Sequence, residues 1–123
     1  MLKYIKREAP RLVSRTLLTW EGIKVTWKEE ASFPQWVVAN IISASLTFAF
    51  EMSPVERAII IGFGLMVLVM ELLNTAVEAA IDRISLEIHP LSKKAKDVAC
   101  AAVGMMAATT GVVWLIIVVP KFM

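Results

Sequence analysis

Cysteine is almost absent. Cys100 is the only one, so no internal disulfide can form, and its apolar surroundings suggest a small packing residue. No Walker P-loop and no protein-kinase glycine loop occurs. The pair Gly62 and Gly64 falls inside an apolar helical pattern, where close helix contact is expected and phosphate binding is not. The N-terminus is charged and lacks an apolar core followed by a small-residue cleavage site. No cleavable signal peptide is therefore expected, and the first span should act as its own insertion signal. Charge is missing from two long stretches, Ala58 to Met70 and Val98 to Val119. Such runs exclude an ordinary soluble domain, as do 58% hydrophobic residues and a mean hydropathy of +0.68. The net charge of +2 is slight, and no nucleic-acid partner is expected.

What remains is a chain of 123 residues, enough for one domain, with apolar runs that read as a small polytopic membrane protein. The basic segment Met1–Arg7 is expected to fray. From about residue 10 to 30 the pattern is amphipathic: Leu12, Thr16, Trp20, Ile23 and Trp27 share one side, Arg11, Arg15, Thr26 and Glu29 the other. Pro10 suits its first turn. Too charged to span, this helix should lie in the interface with Trp20 and Trp27 at headgroup level. Glu30–Gln35 reads as a break. Spans are expected at about 34–50, 56–82 and 96–119, the first of them short. Ser53 is a candidate cap for the second, with Pro54 first and Glu56 third in the helix. The third has small residues (Ala101, Ala102, Gly104, Ala107, Ala108, Gly111) suited to tight packing, ends at Pro120, and carries Trp114 as a lipid-facing anchor. The fold class is thus an all-α membrane protein: an N-terminal amphipathic surface helix plus three transmembrane helices.

Lysine and arginine set the orientation. The segment before Ala31 holds seven of them and the loop expected from Asp82 to Asp97 holds four, against Arg57 alone and Lys121 alone on the other side. The positive-inside rule puts the N-terminus and that loop in the cytoplasm.

The second span carries the informative feature. Glu71, Asn74, Glu78 and Asp82 recur at i, i+3, i+7 and i+11, one narrow stripe on an otherwise apolar helix. If the helix enters the membrane near Arg57, Glu71 lies roughly 20 Å along it, just inside the far boundary of a core about 30 Å thick. A carboxylate at such depth costs about 2–3 kcal/mol or more and usually marks function. A polar clasp between helices explains Asn74 but not two carboxylates and an amide on one face. Near the stripe lie Glu30, Lys96 and Asp97. Two converging carboxylates can hold Mg²⁺ with bound phosphate, and cationic side chains can neutralise phosphate oxygens. A remaining, partly dry carboxylate can accept a proton from an alcohol. The set suits phosphoryl transfer to a lipid hydroxyl, with a proton- or cation-coupled transporter as the rival from another class. On its own residues His89, before Pro90, reads as a turn residue. Lys93, Lys94 and Lys96 read as topology signals or headgroup contacts, and Arg11 as an anionic-lipid contact.

Glu71-Leu72-Leu73-Asn74-Thr75-Ala76-Val77-Glu78, then Asp82, His89, Ala95-Lys96-Asp97 and Ala101-Ala102-Val103, resemble the signature of the bacterial integral-membrane diacylglycerol kinase family. Trp20-Glu21-Gly22, Trp27, Glu30 and Phe33 are similar to it as well, so the likeness covers nearly the whole chain. It implies a homotrimer with sites completed between subunits, in the bacterial inner membrane. It also implies phosphorylation of diacylglycerol to phosphatidic acid by ATP and Mg²⁺ at the cytoplasmic interface. By motif, Glu71 matches the catalytic base, Asn74 a residue holding the reacting groups, and Glu30 and Glu78 the metal carboxylates. The resemblance further implies ATP contacts at Arg11, Leu18, Glu30, Glu78, Asp82, Glu87, His89, Lys96 and Asp97. Lipid contacts are implied at Arg15, Trp20, Lys24, Trp27, Phe33 and Cys100. Ile88, Leu18 and Trp36 depart from the family's common residues. Undecaprenol kinase shares the motif and chemistry; Asp82-Arg83-Ile84-Ser85 leans toward the diacylglycerol branch.

Overall fold

The computed structural model describes residues 1–123, all helix and turn. Helix α1 spans Leu2–Glu29, α2 Ser32–Leu46, α3 Pro54–Ile84 and α4 Pro90–Val118, with a closing 3₁₀ turn at Val119–Phe122. Helices α3 and α4 form the main hairpin and α2 lies against α3, while α1 touches both α2 and α3. The contacts Ser32–Glu71, Asn40–Gly64 and Thr47–Arg57 run in opposite order along α2 and α3, which are therefore antiparallel.

Local chemistry accounts for both ends of α4 and the start of α3. At α3, Glu56 N donates to Ser53 Oγ at 3.1 Å and Ser53 N donates to Glu56 Oε2 at 2.8 Å. This reciprocal cap, with Pro54 in the first turn, satisfies donors that would otherwise be orphaned and contributes about 1 kcal/mol. At α4, Leu91 N donates to His89 Nδ1 at 3.1 Å, so the single histidine is a helix cap. Helix α4 consequently begins at Pro90, not near residue 96, and Lys93, Lys94 and Lys96 lie within its first turns. The connection from α3 shrinks to Ser85–His89. Pro120 does end the α-helix, which tightens to 3₁₀ at Val119.

Four expectations are corrected. Helix α1 starts at Leu2 and carries Pro10 inside it. One proline removes one backbone bond and the helix continues through it, with Arg11 Nη1 donating to Glu8 Oε1 at 3.1 Å on the exposed side. The break after α1 is only Glu30 and Ala31, because Pro34 is tolerated in the first turn of α2. Helix α2 then ends at Leu46 and turns at Thr47–Ala49, so the helix itself stops short of residue 50. Trp114 faces inward: its Nε1 donates to Ser43 Oγ at 2.8 Å, and its ring meets Phe50 edge-on at 6.1 Å. An indole N–H finds no partner in lipid, which favours this orientation.

Only nine of 123 residues are buried, and Thr26, Thr47, Glu71 and Asn74 are among them. Leu12, Leu17, Ile41, Phe48, Leu65, Met105, Leu115 and many similar residues stay exposed. So much apolar surface must be covered by lipid or by other chains. Helices α3 and α4, the latter with its 3₁₀ turn, are each long and apolar enough to cross a membrane. Helix α2, with 15 residues and about 22 Å, is shorter than the hydrocarbon core. Gly64 fits the expected close approach: a Cβ there would lie 2.3 Å from Asn40 Oδ1. Gly62, Gly104 and Gly111 face open space within this chain.

Candidate functional site

The site grows from the junction of α1 and α2. Glu30 caps α1 in extended backbone, with its N–H donated to Thr26 O at 2.9 Å. Phe33 is 4% exposed and meets Trp27 edge-to-face at 6.3 Å, which fixes the turn from either side. Thr26, equally buried, closes its hydroxyl on Gly22 O at 2.9 Å. The turn therefore presents Glu30 and Ser32 together to α3.

On α3 the stripe is graded. Glu71 is 4% exposed and Asn74 7%, Glu78 is half-buried and Asp82 exposed. Ser32 Oγ donates to Glu71 Oε1, the only side chain hydrogen-bonded to that carboxylate. Thr75 Oγ1 donates to the Glu71 carbonyl at 2.9 Å, a bond to backbone that leaves the carboxylate untouched. Asn74 Oδ1 is buried without a hydrogen-bond partner. An orphaned acceptor of this kind costs about 1–3 kcal/mol, and a ligand donor relieves it. Glu30 sits beside Glu78. Its carboxyl is pushed above the ordinary value by burial first, then by the charges of Glu78, Glu71 and Glu29.

A second cluster lies at the cytoplasm-facing end expected from the sequence. Asp82, Glu87, His89, Lys96 and Asp97 line one hollow of about 210 Å³ with Ile81, Ser85, Leu86, Ile88, Ser92 and Lys93. Lys96 Nζ donates to Asp82 Oδ1 at 2.6 Å, tying α4 to α3, and Lys93 Nζ donates to Asp97 Oδ2 at 2.5 Å. Ile88 is almost fully exposed on the rim. Along α3, Asp82 is about 16 Å from Glu71, with Glu78 between them.

Five of the residues expected to contact ATP thus share one hollow, and Glu30 meets the stripe at Glu78. Others lie elsewhere. Arg11 and Arg15 line a groove formed by α1 residues alone, and Arg11 is paired with Glu8. Leu18 lines an apolar groove of about 530 Å³ between α1 and α3, with Gly22, Thr26, Leu72, Thr75 and Ala76. Trp20 and Trp27 are exposed, and Lys24 is paired with Glu21 at 2.8 Å. Cys100 is exposed on α4, so it is not a packing residue within this chain. Sequence reasoning missed Ser32, which stands between two residues already singled out, Glu30 and Phe33.

The architecture defines a class: a small helical membrane protein with a buried acid-amide seam on one helix and a charged hollow at that helix's end. Comparison with known proteins narrows it. The family described as Prokaryotic diacylglycerol kinase matches residues 18–118, and the chain belongs to that family. It is 39% identical over 104 residues to the diacylglycerol kinase of Pseudomonas aeruginosa, covering 85% of each chain. The diacylglycerol kinase of Escherichia coli is 31% identical over 112 residues, 91% of this chain and 92% of the relative. That of Haemophilus influenzae is 36% identical over 103 residues, 84% and 87%.

Proposed function

We propose that this protein transfers the γ-phosphoryl group of ATP to the hydroxyl of diacylglycerol, giving phosphatidic acid and ADP. The observation that carries the reading is the buried pair on one face of α3: a carboxylate, Glu71, beside an unpartnered amide oxygen, Asn74 Oδ1. A lipid alcohol reaching the pair laterally through the membrane presents its one hydroxyl proton to Glu71. Glu71 accepts the hydroxyl proton as the oxygen attacks phosphorus, and the bond to the leaving ADP oxygen breaks in line. Asn74 holds the reacting groups in reach. Lys96 faces Asp82 at the mouth of the hollow, where it can turn to phosphate oxygens.

Family membership implies Mg²⁺, and the residues fit it. No cluster of three ligands exists, but Mg²⁺ keeps waters and substrate phosphates and needs only one or two carboxylates. Glu30 and Glu78 would hold it; burial first, and then like-charge crowding, raise the Glu30 carboxyl, and a cation relieves the crowding. When bound, the ion neutralises phosphate charge.

The same reading has α2 as a third, thinly covered span, the N-terminus and hollow in the cytoplasm, and a homotrimer completing each site between subunits. The positive charge of α1 and α4's first turns supports the orientation. Unfilled space at Gly104 and Gly111 and the wide exposed apolar surface support association. The deciding experiment gives purified protein MgATP with either diacylglycerol or undecaprenol. Phosphatidic acid and ADP are expected from the first. Turnover with undecaprenol alone overturns the substrate, and no ATP consumption with either lipid overturns the kinase.

A further inference from the structure

We infer that Ser32 is a positioning residue for the phosphoryl-transfer reaction, holding the Glu71 carboxylate in the orientation from which it takes the lipid proton. This rests on the reading of Glu71 as the base. Three observations carry it. Glu71 is nearly inaccessible, so few groups can orient it, and Ser32 Oγ is the single side-chain donor to its carboxylate. That bond engages Oε1 only. Oε2 receives no hydrogen bond within the chain, which leaves one oxygen for an incoming hydroxyl. Finally, Ser32 is itself held firmly. It is the first residue of α2, two residues past Glu30 and directly before the buried Phe33.

The geometry also links two parts of the site. Glu30 and Ser32, two residues apart, meet Glu78 and Glu71, two helical turns apart on α3. One short turn of backbone therefore sets both the carboxylate pair beside the phosphates and the rotamer of the base. An unheld glutamate samples several rotamers, and a displacement of about 1 Å from attack geometry can cost roughly a hundredfold in rate.

The test measures kcat and KM for MgATP and for diacylglycerol in the full chain reconstituted in lipid. Ser32→Ala is expected to lower kcat roughly tenfold, about 1.4 kcal/mol, with both KM values within about twofold of wild type. Ser32→Thr, which restores a hydroxyl, is expected to recover most of kcat. A kcat for Ser32→Ala equal to or above wild type overturns the inference. So does a loss that Ser32→Thr fails to rescue, or one confined to KM, since simple packing at the junction would produce either. Glu71→Gln run in parallel separates the two levels. If it retains turnover the base assignment itself fails; if it is dead while Ser32→Ala is normal, only the positioning role fails.

Discussion

Replacing Gly64 by alanine tests how α2 is seated on α3. The new Cβ would lie 2.3 Å from Asn40 Oδ1 and 3.4 Å from its Cγ. To regain ordinary contact the amide must withdraw by about 1 Å. It is not free to do so, because Asn40 Nδ2 donates to Trp36 O at 2.9 Å. Overpacking costs about 1–3 kcal/mol and the strained hydrogen bond about 1 kcal/mol. The alanine returns up to about 1 kcal/mol through better helix propensity. A net loss of about 2 kcal/mol is expected, read as a lower unfolding midpoint in mixed micelles. Gly62→Ala, with nothing near its Cβ, is the internal control and should be neutral or slightly stabilising. Adding Asn40→Ala to Gly64→Ala should recover most of the loss, a coupling of about 1 kcal/mol or more. Asn40 lies eight residues from Ser32, about 12 Å along α2, so the tilted helix should also lower kcat. Wild-type stability for Gly64→Ala, or an equal loss for Gly62→Ala, refutes the reasoning.

Glu71→Gln should reduce turnover by at least about 100-fold, the usual contribution of a positioned base, while nucleotide binding by fluorescence or calorimetry is retained. Glu78→Ala should raise the Mg²⁺ concentration needed for half-maximal activity; an unchanged Mg²⁺ titration removes Glu78 from the metal site. The raised Glu30 carboxyl has a signed consequence. Its contribution to stability is fully present below the ordinary carboxylate range and is lost as pH rises through the folded-state value. Without Mg²⁺, wild type should therefore lose stability across that interval while Glu30→Gln does not, and added Mg²⁺ should shrink the difference. Parallel thermal curves for the two proteins across mildly acidic to neutral pH contradict the assignment.

Features written in local sequence were legible. The reciprocal cap at Ser53 and Glu56 follows from residue types three apart, and the structure has both of its bonds. The end of α4 at Pro120 follows from a missing N–H. The close approach at Gly64 was legible as a pair with Gly62, but only one of the two meets a neighbour. Helix starts were less legible. Basic residues at Lys93, Lys94 and Lys96 resemble a solvated loop, yet His89 and Pro90 begin a helix upstream of them. Trp114 resembled an interfacial anchor because its partner, Ser43, is 71 residues away.

The amino-acid order by itself determined the seam. Polar groups spaced at helical period on a run too apolar for water must share one face of a membrane-embedded helix, whatever surrounds it. Tertiary structure alone decided what meets that seam. It brought Glu30 to Glu78 and Ser32 to Glu71, and it left Asn74 Oδ1 without a partner. Those pairings span 39 residues or more, a separation at which no side-chain periodicity carries information. They exist because the loop between Leu46 and Pro54 folds α3 back along α2, while a two-residue turn, pinned by Trp27 and Phe33, sets Glu30 and Ser32 at the start of α2.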